Sequence, residues 1–349
     1  MTRRLGPMAK HMSGPMALLQ TAISISIDLN SRSVEKCLPG THLEPYQRSS
    51  HRPSFSNHGS IQMDHISSSL WSASLLSTAP ALIHQTHASY FSAGAQIATT
   101  ASYQASIPGL TSHLHISPSE ASALVAKSVH LAQDARNEVS TLAKGPLLIA
   151  GSVGPYGAYL ANGSEYTGAY TLSPDEFKAF HRGRITALLD AGADILACET
   201  LPSYAETMAL AQMLDAEFPT TESFFAFTLS SPAVLPDGTP LSTLIPALER
   251  YANIVAVGVN CVSPELALEG LKEIAKFTSK PLVVYPNSGE QWDAGARQWG
   301  GRKSEGGELV RWVEEVWAAG GRVVGGCCRT GPDEIGVIGG VVEGKNGGS

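Results

Sequence analysis

The sequence predicts an α/β chain folded as a (β/α)8 barrel of the TIM type, with an atypical or degraded first strand. Three observations carry that expectation. From Leu70 onward, short β-branched apolar runs alternate with longer helical segments. A glycine links the end of a helical segment to the next apolar run at Ala93-Gly94-Ala95, Ala191-Gly192-Ala193 and Ala319-Gly320-Gly321, as helix C-termini that feed strands require. No Gly-rich dinucleotide fingerprint follows any apolar run, which weakens the alternative of an open, doubly wound sheet.

Taken in order, the first candidate strand is 22–29. Residues 30–65 are rich in Ser, His, Arg and Pro, as in HLEPYQRSSHRPSFSNHGS, and read as loop or disorder. Residues 1–65 are therefore an irregular N-terminal extension that contains the first strand, and 66–345 form the barrel. Seven further strands are expected at 96–100, 147–151, 194–199, 223–229, 254–260, 282–286 and 323–326. Helices are expected at 117–142, 174–191, 204–217, 241–251, 264–278 and 308–319. Ser173-Pro174-Asp175-Glu176 and Ser263-Pro264-Glu265 supply N-caps with Pro in the first turn. Seven strand–helix units argue for parallel strands with crossover helices, and the 22–29 strand brings the count to eight.

Composition narrows the function. With 43% hydrophobic and 16% charged residues over 349 positions, most of the chain can bury a core. A net charge of -7 and no basic run give no reason to expect a nucleic-acid partner. No apolar run approaches the roughly 18 residues needed to cross a membrane. Five cysteines are too few and too scattered for a disulfide framework, so a reduced, cytoplasmic setting is expected. The N-terminal apolar patch is interrupted by Ser and Thr and lacks a clear cleavage site, so it does not read as a targeting segment.

In a (β/α)8 barrel the active site lies at the C-terminal ends of the strands. Cys198-Glu199-Thr200, Asn260-Cys261, Pro286-Asn287 and Cys327-Cys328 all stand at such ends. Cys261, Cys327 and Cys328 can take three corners of a tetrahedral zinc site and leave the fourth open, the mark of a catalytic rather than a structural zinc. Adjacent cysteines point to opposite faces of a strand, so Cys327 and Cys328 share a metal only where the strand ends and turns. Gly325-Gly326 would permit that turn. Buried apolar cysteines are the other reading of the same residues.

Longer blocks carry a resemblance. Gly258-Val259-Asn260-Cys261 and Gly325-Gly326-Cys327-Cys328-Arg329-Thr330-Gly331-Pro332 resemble the homocysteine S-methyltransferase family. So do Leu70-Trp71-Ser72-Ala73, Thr100-Ala101-Ser102-Tyr103-Gln104, Ser152-Val153-Gly154-Pro155-Tyr156-Gly157, Glu199-Thr200-Leu201-Pro202 and Tyr285-Pro286-Asn287-Ser288-Gly289-Glu290. The blocks run in order from about residue 70 to 340. The resemblance implies a zinc-dependent (β/α)8 barrel with one Zn2+ per chain on Cys261, Cys327 and Cys328. It implies methyl transfer from a sulfonium donor, S-methylmethionine or S-adenosylmethionine, to the zinc-bound thiolate of homocysteine, giving methionine. A free thiol with a pKa near 8.5 is a weak nucleophile at neutral pH, and the metal ionises it.

The resemblance also assigns substrate contacts. Glu199 matches the glutamate that holds the substrate ammonium. Asn287 lines the pocket or caps the turn after Pro286, and Thr100 and Ser102 offer hydroxyls to substrate or cap the strand end. Cys198 is expected in the core, Cys37 outside the metal site, and Arg329 paired with a carboxylate near the mouth. The chain departs from the family at the first strand, which usually ends in an Asp-Gly-Gly motif that helps hold the amine. Here Ile27-Asp28-Leu29-Asn30 is the nearest fragment and no Gly follows, so Asp28 is the candidate replacement. That departure motivates an alternative, a catalytically impaired zinc-binding barrel. The sequence leaves open the methyl donor, selenocysteine as acceptor, and the oligomeric state.

Overall fold

The structure is a computed structural model that describes residues 22–25, 71–141, 143, 145–293 and 298–346. Seven strands of 3–7 residues, β2 (Ile97–Thr99), β3 (Leu148–Val153), β4 (Ile195–Leu201), β5 (Ser223–Phe227), β6 (Ile254–Asn260), β7 (Leu282–Tyr285) and β10 (Gly321–Gly326), make a curled parallel sheet. Between β7 and β10, a short antiparallel hairpin pairs β8 (Gln291–Asp293) with β9 (Gln298–Gly300). The remaining strand, β1 (Ala22–Ile25), pairs in parallel with β10 and with β2. The order β1-β10-β7-β6-β5-β4-β3-β2 closes the ring. The seam that a missing first strand would leave open is bridged.

Helices alternate with the strands: α1 (Pro80–Ser92), α2 (Ile107–Leu114), α3 (Pro118–Val139), α4 (Tyr156–Leu160), α5 (Pro174–Asp190), α6 (Tyr204–Glu217), α7 (Leu241–Glu249), α8 (Pro264–Ile274), α9 (Gly307–Ala318) and α10 (Pro332–Asn346). Their starts follow from the sequence. Ser117 and Ser173 accept the backbone N–H of Glu120 and Glu176, and those glutamates reach back to complete two capping boxes. The Ser263 hydroxyl accepts the Leu266 N–H at 3.3 Å. Helices α1, α2, α4 and α10 and the β8–β9 hairpin lie outside the expected ranges; α2, α4 and the hairpin are too brief for periodicity to distinguish them from loop. Expected strand 147–151 runs on to Val153, and 323–326 begins earlier, at Gly321. The expected loop at 30–65 lies outside the described residues.

Two apolar layers follow from the two-residue period of a strand. Ile97, Leu148, Ala150, Ile195, Ala197, Phe224, Ala226, Ala256 and Val283 fill one compact cluster within the ring. Leu196, Cys198, Phe225, Val257 and Val284 belong instead to the larger cluster that packs under the helices. In β4 the alternation 195, 197 continues to Glu199, which puts that carboxylate on the same side as the inner cluster. At the other side Cys198 is fully buried in core, as expected. Gly258 lets β6 and β7 approach: a Cβ there would stand 1.6 Å from the Val283 carbonyl oxygen. Among the described residues no helix is long and apolar enough to cross a membrane.

Candidate metal and substrate site

The ends of β6, β7 and β10 are stitched together by backbone hydrogen bonds. Cys261 N–H donates to Tyr285 O (3.2 Å), Cys327 N–H to Pro286 O (2.7 Å), Asn287 N–H to Val262 O (2.9 Å) and Ser288 N–H to Cys328 O (3.0 Å). This lacing brings Cys261 to Cys327 and Cys328 across 66 or more positions of sequence. The Cys261 and Cys328 sulfurs are 3.6 Å apart, the Cys327 and Cys328 sulfurs 3.9 Å, and all three lie within 4.8 Å of one another. These are free thiols, far beyond the ~2.05 Å of a disulfide. Sulfurs at two corners of a tetrahedron with Zn–S bonds of about 2.3 Å stand about 3.8 Å apart. The observed spacings bracket that value, and soft thiolate donors suit zinc. The three residues thus fit a thiolate-bound metal. The Cys328 thiol is held well above its usual range, by its two sulfur neighbours first and by burial after them.

The turn that lets adjacent cysteines converge differs from the expected one. Neither Gly325 nor Gly326 adopts a positive φ; Cys261 (φ 55) and Arg329 (φ 68) do. Gly326 is required for space, since a Cβ there would lie 2.1 Å from Thr330 Cγ2. Thr330 is itself fixed by its N–H on Cys327 O (3.2 Å) and by the Tyr90 hydroxyl, which donates to Thr330 O (2.6 Å). Arg329 finds the carboxylate expected of it: its guanidinium donates twice to Glu290, at 2.8 and 3.0 Å.

Glu199 is 1% exposed. Its Oε1 accepts the Ser152 hydroxyl. Thr100 and Ser102 lie one step behind. Their hydroxyls are 2.7 Å apart, Ser152 N–H donates to Thr100 Oγ1 (3.0 Å), and the Ser102 hydroxyl donates to Ser152 O (2.8 Å). The pair is thus engaged in fixing Ser152. The next residue, Thr200, has φ 59 and is clamped by Asn260, whose Oδ1 accepts Thr200 N–H and whose Nδ2 donates to Thr200 Oγ1, both at 2.8 Å. The Tyr285 hydroxyl is pushed well up, by burial first and then by the Glu199 charge. Buried Asn287 Oδ1 has no hydrogen-bond partner among the described residues. Asn287 also lines a cleft with Pro264, Ser304, Trp312 and Glu334. Asp28 and Cys37 lie outside the described residues.

Three contributors were not singled out from the sequence. Ser152 and Asn260 stood inside recognisable blocks without a role of their own. Tyr166 carries no local signal, yet its hydroxyl lies 3.2 Å from Cys261 Sγ.

A parallel α/β ring with three converging thiols that could hold a metal ion, and a buried carboxylate at one rim, has the layout of an enzyme active site. The comparisons narrow it. The family described as homocysteine S-methyltransferase matches residues 56–342. The chain is 47% identical over 277 residues to homocysteine S-methyltransferase of Escherichia coli strain K12, covering 78% of this chain and 88% of that protein. It is 41% identical over 283 residues to selenocysteine Se-methyltransferase of Brassica oleracea, covering 77% and 81%. The crystal structure of the metallated homocysteine methyltransferase MmuM from Escherichia coli superposes with a TM-score of 0.71 at 45% identity, covering 79% of this chain and 89% of that one. The chain belongs to the homocysteine S-methyltransferase family.

Proposed function

We propose that the chain is a zinc-dependent methyltransferase that moves a methyl group from a sulfonium donor, S-methylmethionine or S-adenosylmethionine, to the sulfur of homocysteine. The sulfur spacing of Cys261, Cys327 and Cys328 carries the reading, and the match to a metallated relative supports it. These three residues would hold one Zn2+ per chain, and Glu199, Asn287 and Asp28 would bind the substrate. The fold is read as a complete (β/α)8 barrel spanning 66–345, whose first strand is lent by the 1–65 extension.

Bound zinc supplies a Lewis acid that keeps the acceptor thiol ionised at neutral pH. The protein does the rest. Glu199, fixed by Ser152 and through it by Thr100 and Ser102, receives the homocysteine ammonium and so orients the sulfur. Asn287 offers its buried amide oxygen from the β7 side. Asp28 would be a second carboxylate for the ammonium; in sequence it follows Ile25, which pairs with Gly326 just before the cysteines. The acceptor sulfur gives up its proton and attacks the methyl carbon in line. The donor's carbon–sulfur bond breaks, and its electron pair returns to the sulfonium sulfur, which leaves as a neutral thioether. No general acid is needed to release it. S-methylmethionine and homocysteine give two methionines and a proton.

The test is a donor screen with purified, zinc-loaded protein. Methionine is expected from homocysteine with at least one of the two sulfonium donors. A protein that forms no methionine from homocysteine with either donor, yet methylates an unrelated thiol with one of them, would contradict the acceptor assignment.

A further inference from the structure

A second carboxylate overhangs the same rim. Ser164–Tyr166 forms a single 3-10 turn that packs against β4, and its last residue, Tyr166, reaches Cys261 Sγ at 3.2 Å. The middle residue, Glu165, is 3% exposed, and its Oε2 is buried with no hydrogen-bond partner among the described residues. The turn has little freedom. Asn162 Oδ1 accepts Ser164 N–H at 3.0 Å, Gly168 N–H donates to Ser164 O at 2.9 Å, and a Cβ on Gly157 would stand 2.6 Å from Glu165 N. Buried Arg184 is already engaged: it donates to Tyr103 O and Gly154 O, and its guanidinium lies 2.8 Å from His181 Nδ1.

The Tyr103 hydroxyl feels the Glu165 carboxylate. It is raised well above its usual value by burial first, then by the charges of Glu165 and Cys261, and by Glu199 last.

Burial raises the Glu165 carboxyl above its usual range, and an isolated buried carboxylate costs several kcal/mol to ionise unless a cation meets it. On the reading above, the reaction brings the ammonium of the acceptor and, on the donor, a sulfonium beside the donor's own ammonium. The acceptor's ammonium goes to Glu199, on a barrel strand. The donor must lie in line beyond the acceptor sulfur, on the side of the loops, and Glu165 belongs to the loop that covers Cys261. We propose that Glu165 is the counter-ion for the sulfonium charge of the methyl donor, and that it selects cationic sulfonium donors over neutral ones. This inference rests on the methyl-transfer reading.

The test compares zinc-loaded wild type with Glu165→Gln and Glu165→Asp. Calorimetric titration with S-methylmethionine and with S-adenosylmethionine reads donor affinity, and steady-state rates separate the KM of donor from that of homocysteine. Loss of one buried charge-assisted contact is expected to raise donor Kd and KM by about 10-fold or more in Glu165→Gln. The homocysteine KM and zinc content should stay near the wild-type values, and Glu165→Asp should recover part of the loss. Unchanged donor binding, or an equal rise in both KM values, overturns the proposal. If Glu165→Gln does not fold, a selective donor defect in Glu165→Asp supports it and the absence of one overturns it. If wild type forms no methionine, calorimetry still decides. A donor that binds wild type but not Glu165→Gln upholds the counter-ion while the catalytic reading falls; a donor that binds neither overturns both.

Discussion

Cys261 and Thr200 each hold a backbone conformation that L-residues rarely adopt, at φ 55 and φ 59. Each such residue costs on the order of 1–3 kcal/mol, so the surroundings must over-determine it. Asn260 does this for Thr200 through two 2.8 Å hydrogen bonds, and Thr200 follows Glu199 directly. Asn260→Ala is expected to lower stability by about 1–3 kcal/mol and to reduce kcat/KM for homocysteine while zinc content holds; chemical denaturation and steady-state assays check both. Cys198→Ala is the contrasting case. That thiol is buried in core on the opposite side of β4 from Glu199, so the variant should lose about 1–2 kcal/mol of stability and keep both metal and activity. The residue types of the site were legible because Cys and Glu stand out at strand ends. Their supports were not. Asn260 meets Thr200 across 60 positions, Ser152 meets Glu199 across 47, and Tyr166 meets Cys261 across 95. No local pattern encodes such pairings.

The elements that matter most are the loops after β7 and β10, which hold the cysteine pair between them. Arg329 and Glu290 strap these loops together, with side chains 16% and 15% exposed. Arg329 first, and then the Ser288 hydroxyl, hold the Glu290 carboxyl below its usual range. A depressed folded-state pKa stabilises above the unfolded value, about 4.3 for Glu, and the benefit fades as pH falls through the folded value. Melting curves should therefore show Glu290→Gln less stable than wild type at pH 7, with the gap closing below about pH 4. A gap that is constant with pH would contradict the ionic strap. The two glycines of the Gly-Gly-Cys-Cys run were legible as permissive residues, but the reason was misread. Gly326 makes room for Thr330, and the left-handed turn falls to Arg329. A periodicity argument sees strand and helix; it does not see which atom will occupy the space beside a glycine.

Across the whole molecule, ring closure and a buried polar cluster share the support of the rim. The parallel alternation was legible because seven units repeat it. The first strand was legible only as an apolar run, and its parallel pairing with both β10 and β2 comes from the fold. Behind the rim, Glu206 accepts Tyr156 N–H at 2.6 Å, His181 Nε2 lies 2.7 Å from the same carboxylate oxygen, and the Tyr170 hydroxyl donates to its other oxygen. Arg184 extends the cluster from α5 to the Tyr103 and Gly154 carbonyls. Tyr156 and Tyr170 flank the Ser164–Tyr166 turn, so the cluster anchors the segment that covers Cys261. Removing one member of a buried charged cluster costs about 3–5 kcal/mol. Glu206→Gln is expected to lose stability on that order by denaturant titration, although the residue is none of those that would hold metal or substrate.

The central claim is that the three-thiol site is the seat of methyl transfer. It is tested most directly by measuring zinc content and methionine formation together in wild type and Cys327→Ser. The account predicts about one zinc per chain and methionine from homocysteine in wild type, with both lost in the variant while its fold persists. Methionine formation that survives in zinc-free Cys327→Ser would contradict it.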